Sequence, residues 1–211
     1  MIVLTDKDGS NMRVLVLLAH PAQRKKSINL AMAHLARRTE GITFVDLYAE
    51  YPRFSIDVDR EQQRLLNHDV IVFQFPLFWY STPALLKQWQ DLVLEYGFAY
   101  GPSGQKLFGK LMLACVTTGG SRHDYSPDGG NEHLFEHFLL PLRQTAILCG
   151  MEFLPPFLLH AANHIEAESA QSHIDAYPRL LTALRDGKLD LQTARTHATL
   201  STGDLVHLIG G

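Results

Sequence analysis

Three places along the chain bring together residue types that can grip a ligand. The apolar run Lys110 to Val116 ends in Thr117-Thr118-Gly119-Gly120. Two hydroxyls and two glycines at the end of a buried strand leave bare backbone at the edge of a sheet, where ligands of open α/β sheets bind. A second stretch, His20-Pro21, is followed by Ser27, Ile28 and Asn29 at what reads as a helix start. Free N–H groups and the helix dipole favour an anion there. The Ser27 hydroxyl and Asn29 amide would add donors to one terminal phosphate. The third stretch, Pro76-Leu77-Phe78-Trp79-Tyr80, crowds aromatics onto a strand-to-helix connection. Connections lie on the surface, and exposed aromatic rings mark binding sites or interfaces. Trp79 and Tyr80 can border a planar heterocycle while backbone N–H groups meet its ring nitrogens and carbonyls. Together the three suit a flat, phosphorylated cofactor. Tyr125, close behind, can offer its hydroxyl to a carbonyl that gains negative charge on reduction, or be a plain exposed loop aromatic.

Other residues carry less. Lys25 and Lys26 read as surface charges from the loop alone. His133 and His137 have the i, i+4 spacing of a metal chelate, but no third ligand is indicated, and a polar helix face explains them better. His160 and His164, after the last strand, read the same way. Ser121, His123 and Asp124 are triad residue types too close together for triad geometry, and no Gly-x-Ser-x-Gly elbow accompanies them. Cys115 and Cys149 lie in apolar surroundings without metal-ligand spacing and read as buried free thiols, in keeping with a reducing cytoplasm.

The elements that must position these loops alternate. Strands are expected at Arg13 to Ala19, Ile42 to Leu47, Asp69 to Phe75, from Lys110, and at Phe153 to His160 through Pro155-Pro156. Helices are expected at Asn29 to Arg38 with Ser27 as cap, Arg60 to Asn67, from Thr82-Pro83 to about Glu95 with Thr82 as cap, Asn131 to Cys149 adjusted at Pro141, and Glu166 to Arg185 disturbed at Pro178. Trp89 has core spacing, and Phe73 and Phe75 read as core. Ser121 to Gly130 suggests a lid. Five strands alternating with helices predict a parallel sheet covered on both faces. The doubly wound, flavodoxin-like order 2-1-3-4-5 fits best.

With 211 residues, the chain suits one domain at 13–186, an extension at 1–12 in which Met12 is a possible second start, and a weakly patterned tail at 187–211. A net charge of −3 gives no electrostatic case for nucleic acid. No apolar run approaches the roughly 20 residues needed to span a bilayer. The first strand lacks a following Gly-x-Gly-x-x-Gly, which argues against a dinucleotide site at that loop.

His20-Pro21 with Ser27-Ile28-Asn29, the stretch Phe75 to Lys87, and Thr117 to Gly120 resemble the flavodoxin-like NAD(P)H:quinone oxidoreductases, over most of Arg13 to Leu184. Leu47 to Phe54, Tyr96 to Gly101 and Leu154 to Phe157 are closer to the ancillary quinone reductases of glutathione-regulated potassium-efflux systems. The resemblance implies bound FMN, a homodimer and ping-pong transfer of two electrons from NADPH or NADH to a quinone. It puts His20, Lys26, Ser27, Ile28 and Asn29 around the phosphate and ribityl chain, Pro76 to Tyr80 around the ring, and Thr117, Thr118, Gly119 and Gly120 over it. Tyr125 is the catalytic candidate. The position six residues later, a proton-relay histidine in animal quinone reductases, is Asn131 here, and His123 is a candidate substitute. The resemblance also admits a cytoplasmic subunit, peripheral at the inner membrane face, that regulates a potassium antiporter without catalysis, or an FMN-dependent azo- or nitroreductase.

Overall fold

Val14–Leu18 (β1) is buried at every residue, as a strand covered on both faces must be. The computed structural model describes residues 11–21 and 27–210. β1 lies between Ile42–Asp46 (β2) and Val70–Pro76 (β3), and β3 pairs with Leu111–Thr117 (β4), all in parallel. The order is β2-β1-β3-β4-β5, the expected doubly wound arrangement. The last strand is split. Glu152–Phe153 (β5) pairs with the start of β4 and Phe157–Leu159 (β6) with its end. Pro155-Pro156 separates them, because proline offers no N–H to the ladder.

Side chains alternate across the sheet. Leu15, Leu17, Phe73 and Phe75 face a layer made by Val58–Leu66 (α3), Ala84–Val93 (α4) and Leu140–Leu148 (α5). Val14, Val16, Val72 and Cys115 face Ile28–Arg38 (α1) and Ala167–Arg185 (α6). Trp89 is fully buried edge-on to Phe73, and its indole N–H donates to the buried Glu61 carboxylate. Glu61 also accepts from the Tyr51 hydroxyl and pairs with Arg64, which fastens α3 to α4. A short helix not expected from the sequence, Leu47–Glu50 (α2), follows β2, capped by Asp46.

Three further expectations need correction. The helix expected from Asn131 is a 3₁₀ segment, Phe135–Leu139, followed by α5. Pro141 lies in the first turn of α5, where a missing N–H costs nothing, so it starts the helix rather than adjusting one. Helix α4 begins one residue later than expected, with Pro83 as its cap residue and no side-chain cap bond from Thr82. The segment after Gly187, expected to be a tail, is packed. Leu191–Ala194 (α7) and Thr202–Leu208 (α8) bring Leu189, Leu200, Leu205 and Leu208 into the core, and Leu200 pairs with the edge of β6. Residues 1–10 of the expected extension lie outside the described residues.

Candidate cofactor cleft

Because β1, β3 and β4 are neighbours, their carboxyl ends deliver the three loops side by side. Pro76 is in register with Thr117, and the Leu77 N–H donates to the Thr117 carbonyl at 2.9 Å. The first loop is tied in by Asn29. Its side-chain amide donates to Thr117 Oγ1 at 3.3 Å, and Gln74 Nε2 donates to its backbone carbonyl at 2.7 Å. Asn29 is fully buried, and its side chain ties the first loop to β3 and β4. His20 is also buried, with Nε2 3.1 Å from Ser27 Oγ, and burial lowers its pKa, leaving it neutral near pH 7. Ser27 is the N-cap residue of α1, yet its hydroxyl makes no cap bond, and the first turn carries no acid. Among the described residues, the first N–H groups of that helix have no side-chain cap partner. Lys26 lies outside the described residues.

The second loop is strained. Phe78 and Ser81 exchange backbone hydrogen bonds of 3.0 Å each, so Trp79 and Tyr80 are the central residues of a tight reversal. Both have positive φ, 47° and 63°. Glycine and asparagine normally take such positions, and each left-handed residue with a Cβ costs about 1–2 kcal/mol. Trp79 is nonetheless 93% exposed, while Pro76 and Leu77 are buried. Packing within the chain does not explain a strained, solvent-facing indole. Strain of this kind clusters at ligand clamps. Tyr80 is stacked on Phe138 at 5.1 Å and its hydroxyl donates to Asn131 Oδ1 at 3.0 Å.

The third loop is laced to the end of β6. The Thr118 N–H donates to Leu159, the Ala161 N–H to Gly120 and the Ala162 N–H to Thr118. Thr117 and Thr118 are buried. A Cβ on Gly120 would come within 3.2 Å of both Tyr125 and Asp124, so a side chain there would displace Tyr125. Gly119 differs. Among the described residues a Cβ there would meet only Asn163, at an ordinary 3.5 Å. Those residues impose no steric need for glycine at 119, whereas a flat ring laid on that backbone would have one.

Tyr125 is not the exposed loop aromatic the sequence allows. It is buried, edge-on to Phe135 at 5.7 Å and to Phe138 at 5.6 Å, and burial raises its pKa so that the hydroxyl stays protonated. The ring of His160 lies against it at 5.5 Å. His123, expected near Tyr125 as a relay substitute, is exposed on its 3₁₀ turn. His160, which the sequence offers only as a polar residue after the last strand, follows β6 directly and joins this cluster. The segment expected as a lid is drawn in by Asp124, whose carboxylate accepts from the Ser121 N–H and hydroxyl; those bonds hold its pKa down. His133 and His137 stand 5.9 Å apart, ring to ring, and join no cluster of three metal-binding side chains among the described residues. Beside the cleft, a groove of about 440 Å³ runs between α4 and α5, lined by Thr82, Leu94, Tyr100, Leu142 and Leu148.

The flavodoxin-like fold family matches residues 12–181. The uncharacterized NAD(P)H oxidoreductase YrkL of Bacillus subtilis is 42% identical over 161 residues, 76% of this chain and 92% of that protein. The glutathione-regulated potassium-efflux system ancillary protein KefG of Cronobacter sakazakii is 43% identical over 169 residues, 80% of this chain and 92% of that protein. Among solved structures, general stress protein 14 of Treponema denticola in complex with FMN superposes with a TM-score of 0.74 at 35% identity, covering 83% of this chain and 98% of that one. An NADPH-quinone reductase of P. pentosaceus gives 0.72 at 28% identity, covering 80% and 97%. A chain described as a thermophilic tryptophan halogenase from Streptomycin violaceusniger gives 0.76 at 39% identity, covering 79% and 97%. Names so different on one scaffold leave the reaction to be argued from the site.

Proposed function

Because the chain belongs to the flavodoxin-like family of NAD(P)H oxidoreductases and quinone reductases, we propose that it binds FMN in the three-loop cleft and reduces a quinone at the expense of NADPH or NADH. The observation that carries this reading is the pair formed by the strained, exposed Trp79 turn and the sterically unneeded Gly119. Both features make sense when a flat ring occupies the space they border.

The residues present fit the group. The N–H groups at the start of α1, around Ser27 and Ile28, suit its phosphate, with Lys26 as the expected cation beside them. Leu77 to Tyr80 would hold the ring edge, and Gly119-Gly120 would lie against its face. When bound, FMN would supply the two-electron chemistry, taking hydride from NAD(P)H and returning it to quinone in alternating half-reactions. The chain's part is to orient and to hold protons. Tyr125 stays protonated and can donate to a carbonyl at the ring edge. Neutral His20 holds Ser27 in place through one hydrogen bond. Phe138, between Tyr80 and Tyr125, keeps the two loops in register and water out.

A second copy of the chain is part of the proposal. Leu140, Ile147 and Leu148 leave an exposed apolar strip on α5, with Phe108 exposed in the chain before β4. The named KefG relatives favour a further role, as a cytoplasmic ancillary subunit of a potassium antiporter. Among the described residues no helix is long and apolar enough to cross a membrane, so that role would need a docking partner.

The test is a spectrum. Protein purified gently or reconstituted with FMN should show flavin absorbance, bleach on anaerobic titration with NADPH and recover with quinone. A protein that stays colourless in excess FMN would refute the redox reading and leave the antiporter role to be tested alone by potassium flux.

A further inference from the structure

His160 directly follows β6, and its ring is held on two sides: against Tyr125 at 5.5 Å and edge-on to Phe135 at 5.8 Å. Its Nδ1 is 3.2 Å from Thr118 Oγ1. The Thr118 hydroxyl owns one hydrogen; its 2.8 Å contact is to the Gly120 carbonyl, and the Tyr125 hydroxyl is a further partner on the same oxygen. If that hydrogen points at Gly120, Thr118 can only accept from His160, and the hydrogen between them belongs to the imidazole. His160 is then the Nδ1–H tautomer, with Nε2 as the nitrogen that titrates.

We propose that His160 is a positioning residue of the cleft: its Nδ1–H fixes the Thr118 hydroxyl on the Gly120 carbonyl, and its ring shelves Tyr125. The Gly119-Gly120 backbone and the Tyr125 hydroxyl are thereby held at the edge where the FMN of the proposed function would lie, and the inference rests on that reading for its ligand. The charged and titratable groups around the imidazole are Arg122 and Asp124 on the loop after β4, Glu136 on the 3₁₀ segment, and Tyr125. Burial and Arg122 lower its pKa, so the ring is neutral near pH 7. Protonation at Nε2 leaves the Nδ1–H in place. The positioning therefore survives acidification, which it would not if Nδ1 accepted from Thr118.

Three substitutions read the atom used. Asparagine sets an N–H where Nδ1 stood, glutamine sets one where Nε2 stood, and phenylalanine keeps only the shelf. His160→Phe and His160→Gln should each weaken FMN binding about tenfold, the loss of one well-placed hydrogen bond, and His160→Asn should stay within about threefold of the parent. The ratio of the His160→Asn and parent dissociation constants should not change between pH 8 and pH 5.5. Nitrogen NMR of the protein without FMN should show His160 protonated at Nδ1, with Nε2 titrating below the ordinary value. Equal FMN affinity in all variants, rescue by glutamine rather than asparagine, or an Nε2–H tautomer would each overturn the proposal. Should the parent not bind FMN at all, the proposed function fails, and the NMR tautomer by itself decides the role of His160.

Discussion

The Tyr80 hydroxyl donates to the side-chain carbonyl of Asn131 at 3.0 Å, joining the aromatic turn after β3 to the segment after Tyr125. Asn131 is the position at which the family resemblance leads one to expect a relay histidine. Here it acts as a tether for a strained residue. Tyr80 is exposed and Asn131 half-buried, so Tyr80→Phe should change stability by less than about 0.5 kcal/mol, while FMN binding weakens about threefold as the turn loosens. Paired thermal melts and fluorescence-quenching titrations would check this.

Trp79 should separate stability from binding. Its side chain packs on little, and its backbone is left-handed. Trp79→Gly relieves about 1 kcal/mol of strain and should raise the melting temperature by about 2–4 °C, even as FMN affinity drops about tenfold. A melting temperature lowered by the change would mean that the indole supports the fold.

The buried carboxylate of Glu61 accepts from Tyr51 and Trp89 and pairs with Arg64. Glu61→Gln removes the charge facing Arg64 and should cost about 2–4 kcal/mol, read as a lower urea midpoint at unchanged slope. FMN affinity of the folded fraction should be unaffected, since among the described residues no cleft loop bonds to this network.

His173 supplies an acid limit. It is buried flat against Phe157, and desolvation lowers its pKa to about 4. A histidine depressed in the folded state contributes stability that is complete above its unfolded pKa of about 6.5 and is lost as pH falls from there to about 4. The loss amounts to about 3 kcal/mol. His173→Phe should flatten stability across that window in denaturant titrations at several pH values.

Why some of this was legible follows from the residues. β1, β3 and β4 are unbroken apolar runs ending in odd loops, so the sheet and all three loops could be placed. Residues 131–149 misled because their apolar spacing suits a helix, while the missing N–H of Pro141 defers the α-helix to residue 140. The C-terminal segment has too few apolar residues for periodicity to register. Its one clear sign was Ser201 three residues before Asp204, which forms a capping box on α8. Asn29 reads as exposed because a polar residue at a helix start usually faces solvent. Only the sheet register shows that it is buried and bonded to Thr117 and Gln74.

Residues 188–211 should not be dispensable. Burying Leu189, Leu200, Leu205 and Leu208 contributes on the order of 1.5–3 kcal/mol each, an amount comparable with the whole stability of a typical domain. A chain ending at Gly187 should be recovered as aggregate, with no cooperative melt by circular dichroism.

Leu200 has one more effect. By exchanging backbone bonds with Pro156 and Leu158, it stands where a stray peptide would otherwise attach to the rim of β6. That flank is sealed against ribbon growth between molecules, so the exposed indole of Trp79 does not share the surface with an open strand edge at β6.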